Sequence, residues 1–226
     1  MLEILKFASA AEAEAACAQA LSNALARALK AASDRISFMV SGGNTPRRLL
    51  PLVLAADLDW NRIDVFASDE RLVPVGHPDS TEGMVREIFA SSQKTLNYFG
   101  IGEDLTPDSA LRHWKARLQT ATWPVTAGLI GIGEDAHFAS LFPNRPEIGE
   151  PDLFAAAVPE TSPHRHARLT LGRAAFARCD LLTLVVAGEG KRRALDDSQA
   201  AMSEPISYPA SALAEGAPVT VFACPV

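Results

Sequence analysis

The chain has 226 residues, of which 48% are hydrophobic, enough for a sizeable core, and its formal net charge is −6. That charge gives no electrostatic reason for the protein as a whole to bind nucleic acid or an anionic membrane, whereas locally converging cations would still suit an anionic small molecule. The cysteines, Cys17, Cys179 and Cys224, lack metal-ligand spacing, and their odd number argues against a disulfide framework and predicts a cytoplasmic protein. The opening MLEILKFASA is a poor signal peptide, and no stretch reaches the ~18 apolar residues of a membrane span.

Helix and strand patterns alternate along the chain. Helical spacing or composition predicts helices at 10–32, 47–56, about 81–90, 107–119 and from Lys191 onward. Short apolar runs predict strands at 35–40, 62–67, 125–130, 153–158, 167–171, 181–187 and 218–223. This alternation predicts a mainly parallel sheet covered by helices on both faces. No linker or repeat interrupts the pattern, so residues 1–226 are predicted to form one domain.

The first motif is SGGNTP, from Ser41 to Pro46, between a predicted strand and a predicted helix. Glycines let the backbone approach a ligand closely, and a helix start presents free N–H groups at the positive end of its dipole, which suits a phosphate. The alternative is an ordinary strand-to-helix turn with an Asn or Thr cap. No GK[ST] follows, so the segment is not a Walker A loop.

The second motif is SDER, from Ser68 to Arg71, which ends the next predicted strand. Ligand crevices of open parallel sheets lie at the carboxyl ends of the strands, so this segment is a candidate for ligand binding. The alternative is a solvated loop with internal ion pairs.

The third motif, GIGEDAHFASLFP, runs from Gly131 to Pro143 and follows the strand predicted at 125–130. A histidine beside a carboxylate, at the carboxyl end of a strand, suits a general base, here His137 with Asp135. The alternative is a structural histidine that Asp135 satisfies. A dinucleotide fingerprint is rejected, because Asp135 would face a pyrophosphate with like charge and Pro143 would break the required helix.

Further along, His164-Arg165-His166 could suggest a metal, but two histidines without a third close ligand are weak evidence, and a solvated loop is the favoured interpretation. Arg168 and Lys191 lie near a predicted strand end and helix start. Each is either a surface charge or a cation that meets an anionic substrate.

Taken together, these motifs resemble the 6-phosphogluconolactonase family over nearly the whole chain. SGGNTP is similar to its SGGSTP-type phosphate loop, and SDERLVPVGHPDS to its DERxVPxxHxDSN segment. GIGEDAHFASLFP is similar to its most specific signature, GxGxDGHxASLFP. The later similarities are to PxxRxT at Pro163, Arg168 and Thr170, to GxxK at Gly188 and Lys191, and to PAS at 209–211.

The resemblance implies the fold shared with glucosamine-6-phosphate deaminases and ribose-5-phosphate isomerases, a three-layer αβα sandwich with a modified Rossmann-like, mostly parallel sheet. It implies hydrolysis of 6-phospho-D-glucono-1,5-lactone to 6-phospho-D-gluconate in the oxidative pentose phosphate pathway. The expected partner is this sugar-phosphate lactone, with no metal or organic cofactor, no nucleic acid and no membrane. We expect a monomer or a weak homodimer.

On the matched positions, His137 is expected to activate water, Asp135 to orient the imidazole or shape the turn, and Arg71 to meet either the oxyanion or the phosphate. The residues expected to bind the substrate and its phosphate are Ser41, Gly42, Gly43, Asn44, Thr45, Asp69, Arg168 and Lys191.

Two other functions stay open. The first is the deaminase and isomerase branch of the fold, whose pattern carries a proton-relaying glutamate where this chain has Phe142. The second is a sugar-phosphate-binding protein without turnover. Three residues depart from the family pattern: Asn44 for Ser, Thr81 for Asn, and Ala136 for the glycine before the histidine. Alanine there would cost on the order of 1 kcal/mol if the position needs a positive φ.

Overall fold

The computed structural model describes residues 2–150, 154–160, 165–201 and 204–225. Within these residues the strands, in chain order, are β1 (Leu2–Lys6), β2 (Ile36–Val40), β3 (Ile63–Ala67), β4 (Asp69–Arg71), β5 (Asn97–Tyr98), β6 (Ala127–Ile130), β7 (Ala155–Val158), β8 (Arg168–Leu171), β9 (Leu182–Ala187) and β10 (Val219–Cys224). The α-helices are α1 (Ala10–Ala31), α2 (Asn44–Leu54), α3 (Thr81–Ser91), α4 (Pro107–Leu118), α5 (Pro146–Gly149), α6 (Arg173–Phe176) and α7 (Glu189–Ala200).

The main sheet has seven strands among the described residues, in the order β1-β10-β9-β6-β2-β3-β5, and every neighbouring pair is parallel. The central strands β2 and β3 are buried at every position, as expected for parallel strands covered on both faces. The predicted parallel sheet is confirmed, and its register brings the ends of β9, β6, β2 and β3 side by side.

Helices cover both faces of this sheet, and each face has its own hydrophobic core. One core joins the sheet to α1, α2 and α3, with Leu21 and Leu49 among its fully buried side chains. The other joins it to α4, α6 and α7, with Trp114 and Phe138 at its centre. The predicted three-layer αβα sandwich is therefore confirmed.

A second, three-stranded sheet was not predicted. Residues 69–71 were expected to be a loop after β3, but they form strand β4, which pairs antiparallel with β8, and β8 pairs antiparallel with β7. The apolar patterns of β7 and β8 suited the main sheet equally well, and a three-residue strand is too short to show periodicity. This small sheet holds the SDER segment against Arg168, since Arg71 lies opposite Arg168 in the register.

Several boundaries also differ from the prediction. Helix α2 begins at Asn44, so Asn44 and Thr45 belong to its first turn and not to the preceding loop, and α7 begins at Glu189, before Lys191. The amino-terminal residues form strand β1 at an edge of the main sheet. Leu153, Pro163 and His164 lie outside the described residues. In the described part of the chain, no helix combines the length and apolar character needed to cross a membrane.

Helix starts follow local capping chemistry. The Ser9 side chain accepts a hydrogen bond from the Glu12 amide at the start of α1, and Ser80 accepts one from the Gly83 amide at the start of α3. Ser80 is therefore the cap of α3. Pro107 occupies the first turn of α4, where its missing N–H costs nothing.

Candidate active site

The three motifs and the late lysine converge at one edge of the main sheet. SGGNTP follows β2, SDER follows β3, GIGEDAH follows β6, and Gly188 follows β9. These four strands are neighbours and run parallel, so their carboxyl ends open onto the same crevice.

A cavity of about 300 Å³ lies at this edge. Every predicted site residue except Asp135 lines it, namely Ser41, Gly42, Gly43, Asn44, Thr45, Asp69, Arg71, His137, Arg168 and Lys191. Three of these side chains are cations by type and one is an acid, so the cavity presents a net positive lining inside a protein of net charge −6. This arrangement suits an anionic ligand.

The glycine loop meets the cavity through its backbone. Gly43 has a φ of +110°, a conformation that favours glycine, and a β-carbon there would meet no atom within 4 Å. A β-carbon on Gly42 would lie 2.6 Å from Thr81 Oγ1 and 2.7 Å from Arg71 Nη1. Gly42 thus lets α3 and Arg71 approach the loop. The first turn of α2 follows, and the backbone N–H groups of a first helical turn have no hydrogen-bond partner within the helix.

His137 is held by the carboxylate two residues before it. Its Nδ1 lies 2.5 Å from Asp135 Oδ1, and its backbone N–H donates to the same oxygen at 3.3 Å. Burial alone would raise the pKa of Asp135, but the hydrogen bond and charge of His137 lower that pKa well below its ordinary value. An ionised Asp135 can only accept a hydrogen bond, so the proton of a neutral His137 lies on Nδ1.

The turn that carries this pair is tightly packed. A β-carbon on Gly133 would collide with His137 Nδ1 and Asp135 Oδ1, so the imidazole and carboxylate rest directly against this glycine. Ala136, between the pair, has a φ of +65° and is buried. The position where the family has glycine does require the left-handed region, which disfavours alanine by roughly 1 kcal/mol. The Asp135–His137 contact forms nonetheless.

Asp69 is a buried part of the cavity lining and contacts several other side chains. Its carboxylate accepts hydrogen bonds from Ser140 Oγ at 2.6 Å and Ser68 Oγ at 2.9 Å, and lies 3.5 Å from Arg168 Nη1. Burial would raise the pKa of Asp69, but the charges of Arg71 and Arg168 and the two hydroxyls together lower it. Asp69 was predicted to bind substrate; in the structure its carboxylate forms an ion pair with Arg168, and the charge of Arg71 acts on it.

Glu70, the next residue, links the SDER segment to the start of helix α3. Its carboxylate accepts hydrogen bonds from the backbone amides of Arg71, Thr81 and Glu82 at 2.6–2.8 Å. Burial raises the pKa of Glu70 to about 7, against the lowering effect of these amides. The contacts tie β4 to the start of α3, and the Arg71 side chain is directed further by donation from Nη1 to the Asp79 carbonyl at 3.1 Å.

The apolar ring of Phe142 packs beside His137. Phe142 is buried, its ring centroid is 4.9 Å from that of His137, and the Arg168 guanidinium carbon lies 5.6 Å from the ring centroid. Phe142 therefore places hydrocarbon against both the imidazole and the guanidinium, and its side chain cannot carry a proton.

Two contributors to the site were not predicted. Ser140 bridges Asp69 and Arg168, because its hydroxyl also accepts from Arg168 Nη1 at 3.4 Å. It lies in the third motif, but nothing in the spacing links it to SDER. Thr81 contacts the glycine loop, and its buried hydroxyl finds no hydrogen-bond partner in the part of the chain that is described. The described residues with metal-ligand spacing, His77, Asp79 and His166, lie outside the cavity lining.

Comparison with known proteins gives three findings. A family model described as glucosamine-6-phosphate isomerases/6-phosphogluconolactonase matches residues 8–222. The chain is 33% identical over 189 residues to a 6-phosphogluconolactonase of Caulobacter vibrioides, covering 80% of this chain and 81% of the relative.

Two solved structures share the fold. A 6-phosphogluconolactonase from Shewanella baltica superposes with a TM-score of 0.90 at 23% identity, over 100% of this chain and 98% of that one. A monomeric glucosamine-6-phosphate deaminase superposes with a TM-score of 0.78 at 17% identity, over 99% and 97%. The fold alone therefore does not separate the two activities.

The contacts of Asp69 predict a stability effect. Asp69→Ala leaves Arg168 buried beside no carboxylate, so we expect the free energy of unfolding at neutral pH to fall by about 3–5 kcal/mol, measured by urea denaturation. Because the folded-state pKa of Asp69 is lowered, its contribution is present above about pH 4 and is lost as the pH falls through the lowered pKa. The difference between wild type and variant should therefore shrink in acid.

Asp57→Ala, at an exposed position, serves as the matched control and should change the free energy of unfolding by less than about 0.5 kcal/mol. Equal stabilities of wild type and Asp69→Ala at neutral pH would show that the ion pair between Asp69 and Arg168 contributes nothing to the free energy of unfolding.

Proposed function

The chain belongs to the glucosamine-6-phosphate isomerase/6-phosphogluconolactonase family, and on that premise we propose that it hydrolyses 6-phospho-D-glucono-1,5-lactone to 6-phospho-D-gluconate. This reaction belongs to the oxidative pentose phosphate pathway. The relative that shares a third of its residues with this chain over four-fifths of both lengths is a 6-phosphogluconolactonase. The cavity supplies a histidine paired with a carboxylate, and cations for a phosphate.

The observation that carries the choice between lactonase and deaminase is Phe142. The resemblance puts a proton-relaying glutamate at this position in the deaminase branch. Here the position is a buried ring packed 4.9 Å from the imidazole. Ring opening and isomerisation need a second proton carrier beside the histidine, whereas water attack on a lactone carbonyl needs one base.

In the proposed complex the 6-phosphate lies on the backbone amides of Gly42, Gly43, Asn44 and Thr45. Three features support this placement: the positive φ and open space at Gly43, the start of α2, and the position of these residues in the cavity lining. Arg168 and Lys191, on the same lining, supply positive charge to the phosphate.

The proposed reaction uses His137 as the general base. Since Nδ1 is directed at Asp135, Nε2 is the atom that takes a proton from water as the water oxygen forms a bond to the lactone carbon C1. The negative charge that develops on the carbonyl oxygen is met by Arg71 in this scheme. When the tetrahedral intermediate collapses, the bond from C1 to the ring oxygen breaks, and the imidazolium returns the proton to that oxygen.

The geometry suits a reaction with a modest barrier. A δ-lactone hydrolyses unaided, so the protein needs to supply only part of the usual acceleration. One positioned base contributes roughly 10²–10⁴-fold, and anchoring the phosphate adds orientation of C1 toward the base. Asp135 stabilises the imidazolium that forms during the proton transfer.

We expect no metal or organic cofactor in this reaction, a monomer or weak homodimer, and a cytoplasmic location. The location is supported by the cysteines, since Cys17, Cys179 and Cys224 are all unpaired and buried.

Two alternative functions can be distinguished from lactone hydrolysis by experiment. A deaminase or isomerase would release ammonia from glucosamine 6-phosphate, and Phe142 argues against it. A protein that only binds would take up 6-phosphogluconate without hydrolysing the lactone. The strained Ala136 is the feature that favours this reading, and the retained Asp135–His137 contact argues against it.

His137→Ala tests the base. We expect kcat for freshly prepared 6-phosphogluconolactone to fall about 100-fold or more with little change in KM, because the variant keeps the phosphate site but cannot accept the proton. Base consumption in a pH-stat, corrected for spontaneous hydrolysis, measures the rate. His113→Ala, an exposed histidine on α4, is the control and should match wild type. Near-normal turnover in His137→Ala would remove this residue from the mechanism.

Gly133→Ala tests the packing under the base. Its new methyl group would displace His137 or Asp135, so we expect kcat to fall about 10- to 100-fold although no functional group is removed. Gly149→Ala is the matched control, since a β-carbon there meets no atom within 4 Å. Equal kcat values for the two variants would contradict the close contact between Gly133 and the imidazole.

Lys191→Ala tests the phosphate site. We expect KM for the phosphorylated lactone to rise about tenfold or more at nearly constant kcat, because a charge-assisted contact is lost in both ground and transition states. Arg193→Ala removes an exposed cation from the same helix and should leave KM unchanged.

Arg168→Ala should raise KM in the same way, with a separate loss of stability from the broken pair with Asp69. If neither Lys191→Ala nor Arg168→Ala changes KM, the phosphate lies elsewhere.

A further inference from the structure

A second cluster of side chains lies near the cavity but outside its lining. Asp79 Oδ2 is 3.0 Å from His166 Nε2 and 3.9 Å from His77 Nδ1, and one ligand atom from each residue lies within 4.8 Å of the others. The two imidazole rings meet nearly edge to face, with centroids 5.2 Å apart. We propose that His77, Asp79 and His166 form a zinc-binding site separate from the catalytic residues.

The donor set and its spacing suit zinc. Two imidazole nitrogens and one carboxylate oxygen are ligands that zinc takes at roughly 2.0–2.2 Å, so ligand atoms around a tetrahedral ion stand about 3.4 Å apart. The two measured separations of 3.0 and 3.9 Å lie on either side of that value. Small side-chain rotations would equalise them, and water would complete the coordination. Hard cations such as Mg²⁺ prefer all-oxygen sites, which this cluster does not offer.

The side chains are accessible, and the His77 nitrogen carries no proton, whereas His166 Nε2 donates to the Asp79 carboxylate and would release its proton when zinc binds. The side chains of His166, His77 and Asp79 are 30%, 36% and 55% exposed, so an ion from solvent can reach them. His77 Nδ1 accepts a hydrogen bond from the Asp79 backbone N–H at 3.1 Å, which means that this nitrogen carries a lone pair and no proton. Binding would exchange that hydrogen bond for a bond to the metal, and the Asp79 carboxylate would offset part of the ion's charge.

The site would join two separate segments of the chain. His77 and Asp79 lie between β4 and α3, whereas His166 lies two residues before Arg168 on β8. His166 has a φ of +71°, a conformation uncommon for histidine, and in it the ring contacts both residues of the other segment. A metal ion would fasten the loop whose Asp79 carbonyl holds Arg71 to the strand that carries Arg168.

A metal ion that joins these two segments is expected to stabilise the folded protein without taking part in the reaction. Arg71 places a positive charge next to Asp79, so the affinity for zinc should be modest, and zinc should not be required for turnover. An ion that binds only the folded protein raises the melting temperature as its concentration increases.

Zinc titration of metal-free protein tests the proposal. The full chain is stripped with EDTA and dialysed into a phosphate-free buffer, then titrated with ZnCl₂ by isothermal calorimetry, with thermal unfolding followed in parallel. We expect one zinc ion per chain and a melting temperature that rises with zinc concentration. His77→Ala, Asp79→Asn and His166→Ala should each weaken binding about tenfold or more and abolish the thermal shift.

Two control variants make the result decisive. His113→Ala should bind zinc like wild type, and so should His137→Ala, which removes the other histidine that stands beside an aspartate. Normal lactone turnover of the zinc-free His77→Ala and His166→Ala proteins would show that they are folded. The proposal is overturned if wild type binds less than one zinc ion, if His166→Ala and Asp79→Asn bind as tightly as wild type, or if His137→Ala alone loses zinc.

Discussion

The site depends on one buried carboxylate. Asp69 lies in the cavity lining, where Ser68, Ser140 and Arg168 contact its carboxylate and the charge of Arg71 also acts on it. The like charges of Arg71 and Arg168 disfavour each other, and the ionised aspartate offsets part of that cost because it interacts favourably with both. The pairing of β4 with β8 in the small antiparallel sheet brings Asp69 and Arg168 together. In this acidic protein, the cavity proposed to bind a phosphate thus carries Arg71 and Arg168 beside an ionised carboxylate that stabilises their charges.

Close packing sets the second feature of the site, the direction of the histidine. Gly133 has no side chain where His137 and Asp135 rest, and Ala136 accepts a left-handed backbone so that the two residues face each other. The Phe142 ring packs against the imidazole and adds an apolar contact beside it. A base oriented by a carboxylate and flanked by an apolar wall is suited to activating one water molecule, and poorly suited to moving protons along a sugar chain. The fold is shared by a lactonase and a deaminase, and we propose that the residue at position 142 separates the two activities.

Much of this arrangement was predictable, and the exceptions have physical causes. Apolar runs bounded by glycine revealed the central strands, and parallel strands necessarily bring the loops that follow them to one edge, so the cavity lining could be anticipated. Ser140 could not be, because its partner Asp69 is 71 positions away and the two meet only in the folded chain. The start of α2 at Asn44 was also missed, since a loop and a first helical turn carry the same Gly, Asn, Thr and Pro signals.

Local sequence thus determined the sandwich, the three motifs at the strand ends and the residues that we propose do the chemistry, since periodicity and turn composition act over short distances along the chain. Tertiary structure alone decided which groups meet. It paired Asp69 with Arg168 and turned Phe142 against His137. It also brought His166 to Asp79 across 87 positions, where the sequence suggested only its neighbour His164 as a companion. Such pairings depend on how strands cross and how side chains fill the space between them, and no short-range pattern encodes either.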